Sequence, residues 1–167
     1  MASLDILKQF GLLILLWNSR SLASNIIEFN HLLNNTKPGV VCITETWFRA
    51  TSSHNFKGYN LFRKDRFGSM GGGVAILVWQ DIVVVPNNFT YYQDGYLEAL
   101  VVTIDLKDRN CNICVAYNPT QNVTEMEFSH YFNGLGSNSI FAETSTPTTL
   151  YGLTGSVDIP LTFLVLP

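Results

Sequence analysis

Apolar residues in this chain gather in short unbroken runs, and three of those runs stop at a polar residue. LLILLW closes on Asn18, GVVCIT on Glu45 and NICVAY on Asn118. Runs of this length bounded by turn signals read as buried strands. The pattern predicts strands over 11–17, 40–45, 73–79, 97–104 and 111–117, with shorter ones over 59–63 and 82–85. Between the first two, Leu22, Ile26, Ile27, Phe29, Leu32 and Leu33 recur at helical spacing and predict an amphipathic helix over 22–34. Thr36-Lys37-Pro38-Gly39 ends it. Thr124 and Glu127 form a capping box before Phe128, Tyr131 and Phe132, which predicts a second helix over 125–133. One helix among strands, then strands in series, then another helix, is the order of an α/β (α+β) layered domain.

Beyond Gly134 the character changes. The segment is rich in Ser, Thr and Gly, and its only charges are Glu143 and Asp158. It closes on the apolar run LTFLVLP, for which the sequence offers no partner. The expected division is therefore a domain over 1–133 and a divergent tail over 134–167.

Composition narrows the function classes. With 167 residues, 47% hydrophobic and 14% charged, the chain can bury a real core and is no disordered tail. A net charge of −3 argues against a protein that blankets a polyanion, and all ten Lys and Arg lie at or before Arg109. Cys42, Cys111 and Cys114 give no even disulfide framework and read as reduced, buried thiols of an intracellular protein. Cys111 and Cys114 are three apart within a strand, so they face opposite sides and make no metal or redox pair. The first apolar run lacks a small-residue cleavage site and is too short to span a bilayer, so no membrane partner is expected.

The polar run endings are the candidate chemistry. A polar group at a strand end sits on the sheet rim, held by a rigid scaffold. Of the three, Glu45 is the informative one, because Mg²⁺ takes oxygen ligands and is often held by only one or two carboxylates.

Five strings carry a resemblance: WNSRSL at 17–22, KPGVVCITETWF at 37–48, FKGYNLFRKDRFGSMGGGVAILV at 56–78, YLEALVVTI at 96–104 and NICVAYNPTQ at 112–121. In this order they resemble the N-terminal part of the endonuclease domain of non-LTR (LINE-like) retrotransposons, within the endonuclease/exonuclease/phosphatase superfamily. The resemblance covers residues 11–133. It implies a DNase I-like four-layered α/β sandwich, here a partial one, and Mg²⁺-dependent phosphodiester hydrolysis that nicks DNA. It also implies an intracellular location, nuclear or cytoplasmic, with DNA as partner and, if the chain is not truncated, a parent element's reverse transcriptase domain. Glu45 matches the family's metal-binding Glu, Asn18 the Asn that supports the metal indirectly, and Tyr117 the Tyr near the scissile phosphate. Asn118 is a further rim residue. Arg63, Asp65 and Arg66 match an R-x-D-R stretch and are candidate substrate contacts, although a mixed-charge surface loop accounts for them equally well.

Two expected parts of the family pattern have no match in 134–167: a Gly-Asp-x-Asn strand end and a late Ser-Asp-His. His130 has no Asp before it, and His31 and His54 fall in helix and loop positions with no counterpart in the family pattern. Gly71–Gly73 precedes a strand and no Lys-Ser follows, so it is a backbone turn and not a phosphate loop. The expectation is a truncated endonuclease domain whose activity is weak or lost. A non-catalytic nucleic-acid or protein interaction fragment, and a phosphodiesterase or phosphatase of the same superfamily on another substrate, are the alternatives.

Overall fold

The computed structural model describes residues 11–68, 70–93, 97–106, 109–119, 133–136, 138–144, 148–149, 153–154 and 161–166. Two sheets face each other. In the first the order is β11-β1-β2-β4-β3, built from β1 (Leu12–Asn18), β2 (Val40–Thr44), β3 (Tyr59–Lys64), β4 (Val74–Trp79) and β11 (Leu161–Leu166). β1 runs parallel to both β2 and β11, while β4 is antiparallel to β2 and β3. The second follows the order β10-β8-β7-β6-β5, with β5 (Val83–Gln93), β6 (Glu98–Asp105), β7 (Asn110–Tyr117), β8 (Ser139–Thr144) and β10 (Leu153–Thr154). β9 (Thr148–Thr149) also pairs with β8.

Alternate residues of the facing strands fill the space between the sheets. Ile14, Leu16, Cys42 and Ile76 from one meet Val102, Ile113, Val115 and Ile140 from the other. The opposite face of the first sheet is covered by α1 (Ile26–Thr36), whose Phe29 and Leu33 pack on Leu15, Val41, Ile43 and Leu77. Strands buried on both faces need apolar residues at every position, and that is why β1 and β2 read as continuous runs. On the outer face of the second sheet, Leu97, Ala99, Val101, Cys114 and Ala116 form a smaller cluster. Cys111 lies in the core between the sheets and Cys114 on the outer face, so the two thiols do point apart. Burial pushes the Cys42 thiol up to about 12 and Cys111 to about 11, leaving both as inert packing groups.

Three expectations are corrected. The helix begins at Ile26 and not at residue 22, because 22–24 form a turn. Leu22 is fully buried there, so its apolar character fitted the helical period without the helix reaching it. The strand expected over 82–85 continues to Gln93, and its pairing with β6 shifts register between Val84 and Phe89. Pro86 lies inside that irregular stretch, where no ladder hydrogen bond is asked of it. The closing apolar run does have a partner: Leu161–Leu166 pairs in parallel with β1 from Leu12 to Trp17. Leu164 packs against the helix-side core, so a strand with no neighbour in sequence is absorbed by one about 149 positions earlier (Leu12↔Leu161). The helix expected over 125–133 lies outside the described residues, apart from a 3₁₀ turn at Asn133–Leu135.

Candidate active site

β1, β2 and β7 end at one edge of the sandwich, and their last residues converge on Glu45. Asn18, paired in register with Thr44, donates from Nδ2 to Glu45 Oε1 at 2.9 Å. The Tyr117 hydroxyl, from the other sheet, donates to the same oxygen at 2.8 Å. Both donors lie deep in the structure, Asn18 at 7% and Tyr117 at 9% exposure. Glu45 itself is half-buried and can be reached by a ligand. Desolvation raises the Tyr117 phenol well above its ordinary range, and its bond to the Glu45 carboxylate raises it further. The phenol therefore stays protonated and remains a donor at any physiological pH.

The backbone around Glu45 is held in an uncommon conformation. Glu45 and Trp47 both have φ 54°, and Arg20 and Ser21 have φ 39° and 87°. Non-glycine residues seldom adopt positive φ, and such strain persists where neighbours over-determine it. Here they do. Ser21 N–H donates to Glu45 O at 2.9 Å and Ser19 Oγ donates to the same carbonyl at 3.0 Å. On the far side, Thr46 N–H and Trp47 N–H donate to Gly73 O and Gly72 O at 3.2 and 3.0 Å. Gly73, at φ 84°, has no room for a side chain, since a Cβ would lie 2.6 Å from Thr46 Oγ1.

A second carboxylate anchors this arrangement. Glu98, only 4% exposed, accepts from Gly73 N–H at 2.8 Å and from Arg66 Nε at 2.5 Å. The Arg66 guanidinium in turn lies 5.9 Å from the centre of the Tyr117 ring. Arg66 thus stands beside the site, locked by Glu98. Arg63 and Asp65 are directed elsewhere. Arg63 donates to Ser52 O at 2.7 Å, pairs with Asp65 at 3.3 Å and lies 5.3 Å from the centre of the Phe48 ring, pinning the loop after β2. Asn118 is buried one residue beyond Tyr117 at the same sheet end.

Sequence reasoning missed Glu98 and the buried threonine pair Thr44–Thr144, whose hydroxyls hydrogen-bond between the two sheets. Glu98 had left a signal, a lone carboxylate in the otherwise apolar stretch YLEALVVTI. Thr144 had left none, because its strand ends in the tail that looked unlike the rest. Among the described residues no group of three or more His, Cys, Asp or Glu side chains gathers as a metal cage. No described helix is long and apolar enough to cross a membrane.

No family model matches the chain, and no curated protein matches it in sequence. Solved structures do. An AP endonuclease from Archaeoglobus fulgidus superposes with TM-score 0.55 at 17% identity, covering 78% of this chain and 55% of that one. TDP2 from D. rerio, complexed with a single strand DNA product, gives TM-score 0.54 at 12% identity, over 78% of this chain and 58% of that one. The endonuclease domain of TRAS1, a telomere-specific non-LTR retrotransposon, gives 0.50 at 19%, over 80% of this chain and 60% of that one. The chain therefore spans less than two thirds of the length of each. All three are DNase I-like members of the endonuclease/exonuclease/phosphatase group, and at these identities the likeness is one of fold. Two facing mixed sheets with a helix on the outer face and site residues at the strand ends give this chain the DNase I-like α/β sandwich fold.

Proposed function

We propose that Glu45 is the metal-binding carboxylate of a retroelement-type endonuclease site that hydrolyses nucleic-acid phosphodiesters, with slow or no turnover in this chain. The observation that carries the reading is the shared oxygen: donors from two strands in opposite sheets, Asn18 and Tyr117, fix Glu45 Oε1. Among the described residues Oε2 takes no hydrogen bond, so one carboxylate oxygen is oriented and the other is left for a ligand. That suits Mg²⁺, which keeps several waters and takes few protein oxygens. Bound there, Mg²⁺ would offset the negative charge that builds on phosphate oxygens as the ester is cleaved.

The chain's own residues do the rest of what can be derived. Asn18 and Tyr117 hold the carboxylate in one orientation. Tyr117, kept neutral by burial, places a hydroxyl donor at the rim without adding a second buried charge. Arg66, held by Glu98, brings a cation beside Tyr117 at the same edge. Among the described residues no histidine stands at the site to deprotonate the attacking water. The described histidines are His31, on α1, and His54, stacked on Phe48 at 3.8 Å between ring centroids and hydrogen-bonded to Ser52. General acid–base assistance is worth about 10²–10⁴-fold, and its loss underlies the slow turnover proposed here.

The test has two arms. Mn²⁺ added to isotope-labelled protein is expected to broaden the amide signals of residues 18–19, 44–46 and 117, and not to do so in Glu45→Gln. Relaxation of supercoiled plasmid in Mg²⁺ is expected to be no faster than with Glu45→Ala. Equal broadening in Glu45→Gln refutes the metal role. Vigorous nicking that disappears in Glu45→Ala refutes the slow turnover and leaves the metal role standing.

A further inference from the structure

Three of the largest exposed apolar side chains among the described residues lie on two segments that are joined next to Glu45. Phe67 is 92% exposed, Met70 96% and Trp47 44%. Isolated exposed apolar residues are ordinary, but these sit on segments tied to one another. Trp47 is two residues past Glu45, and Phe67 and Met70 belong to the connection between β3 and β4 that ends in Gly71–Gly73. The two segments are stitched together by the Thr46 and Trp47 N–H bonds to Gly73 and Gly72. The indole lies against Gly71, its Nε1 3.4 Å from where a Cβ would stand, so the absence of a side chain at 71 makes the bed for the ring. An exposed ring on a fixed backbone presents a π face at little cost in ordering.

The charge around it leans to the positive. Near these two segments stand Arg49, Arg63, Lys64 and Arg66 against Asp65 and the buried Glu98, in a chain whose net charge is −3. Arg49 and Lys64 are exposed. A cationic track with interleaved exposed aromatic rings is how single-stranded nucleic acid is held without regard to sequence: phosphates follow the cations and base faces stack on the rings. A bare hydrophobic interface would not need the cations, and a duplex offers no free base face.

We propose that Trp47, Phe67 and Met70 form a stacking lip that takes unpaired bases of a single-stranded nucleic acid next to the phosphodiester presented to Glu45. The proposal rests on reading the Glu45 site as one for nucleic acid. The lip holds the strand by its bases, and the adjoining cations hold its backbone.

Binding tests it without any need for turnover. Fluorescence anisotropy in EDTA would follow a labelled single-stranded DNA, the same sequence as RNA, and the DNA as a matched duplex. Variants are Trp47→Ala and the double substitution Phe67→Ser with Met70→Ser. The second pair is almost wholly solvent-exposed, so the fold does not depend on it. Each variant is expected to bind single strands about tenfold or more weakly, with duplex binding little changed. The DNA and RNA arms tell which strand the lip takes. If the unaltered protein binds single strands and both variants bind equally well, or if it prefers duplex, the lip is refuted and the nucleic-acid reading survives. If the unaltered protein binds no strand at all, the nucleic-acid reading falls and the lip with it.

Discussion

The hydroxyls of Thr44 and Thr144 meet between the sheets, both at 0% exposure, and join residues 100 positions apart. Thr44→Val leaves the Thr144 hydroxyl buried with its partner gone, and Thr144→Val does the same to Thr44. An orphaned buried hydroxyl costs about 1–3 kcal/mol, whereas replacing both partners with apolar groups of the same shape is close to neutral. Each single variant is therefore expected to lose about 1–2 kcal/mol, and the double variant less than about 1 kcal/mol, well short of the two losses added together. Urea unfolding at fixed pH, with the four proteins compared as a double-mutant cycle, measures the coupling directly. Single losses that simply add, or losses below about 0.5 kcal/mol each, would show that β8 does not lie across from β2. The outcome would then remove one structural reason for counting the segment after Gly134 as part of the sandwich, beside the pairing of β8 with β7 and of β11 with β1.

Gly73→Ala puts a Cβ against Thr46 Oγ1 in a backbone at φ 84° and is expected to cost about 2–4 kcal/mol, while Gly134→Ala, with nothing within 4 Å, is expected to be silent; equal urea midpoints for the two would refute the stitch beside Glu45. Glu143 is 4% exposed, and burial raises its carboxyl from 4.5 to about 7. The unfolded chain gives up that proton first, so stability is full below about pH 4.5 and falls as pH rises through about 7. The gap sets a ceiling of about 3 kcal/mol, which water reaching the carboxylate reduces to about 1–2 kcal/mol. Thermal melts from pH 4 to 8 should show this decline, Glu143→Gln should flatten it, and an identical decline in the variant would refute the assignment.

The sequence made the strands of the front half legible because two-sided burial forces unbroken apolar runs, and β1, β2, β4, β6 and β7 lie where those runs lie. Their polar endings also pointed to the rim where Asn18, Glu45 and Tyr117 converge. What stayed hidden depends on contacts between distant parts of the chain. β11 looks like an orphan run because its neighbour, β1, is at the other end of the sequence. β8 has only six residues and ends in Glu143 and Thr144, so no run marks it. Arg63 and Arg66 are close in sequence and chemically alike, yet one is spent on the Ser52 carbonyl and the other faces Tyr117. Strand alternation does not separate two arginines when the second lies past the strand end.

Pairing between β1 and β11 also has a kinetic meaning. Residues 12–17 leave the ribosome long before residues 161–166. Until they arrive, the outer edge of β1 is an open hydrogen-bonding edge flanked by apolar side chains, a template for pairing with the wrong chain. Closing that edge requires the longest-range contact in the first sheet, and long-range strand pairing slows folding. Until residues 161–166 are made the first strand stays paired on one side only, and chaperone demand should be set by that interval more than by the stability of the finished sandwich.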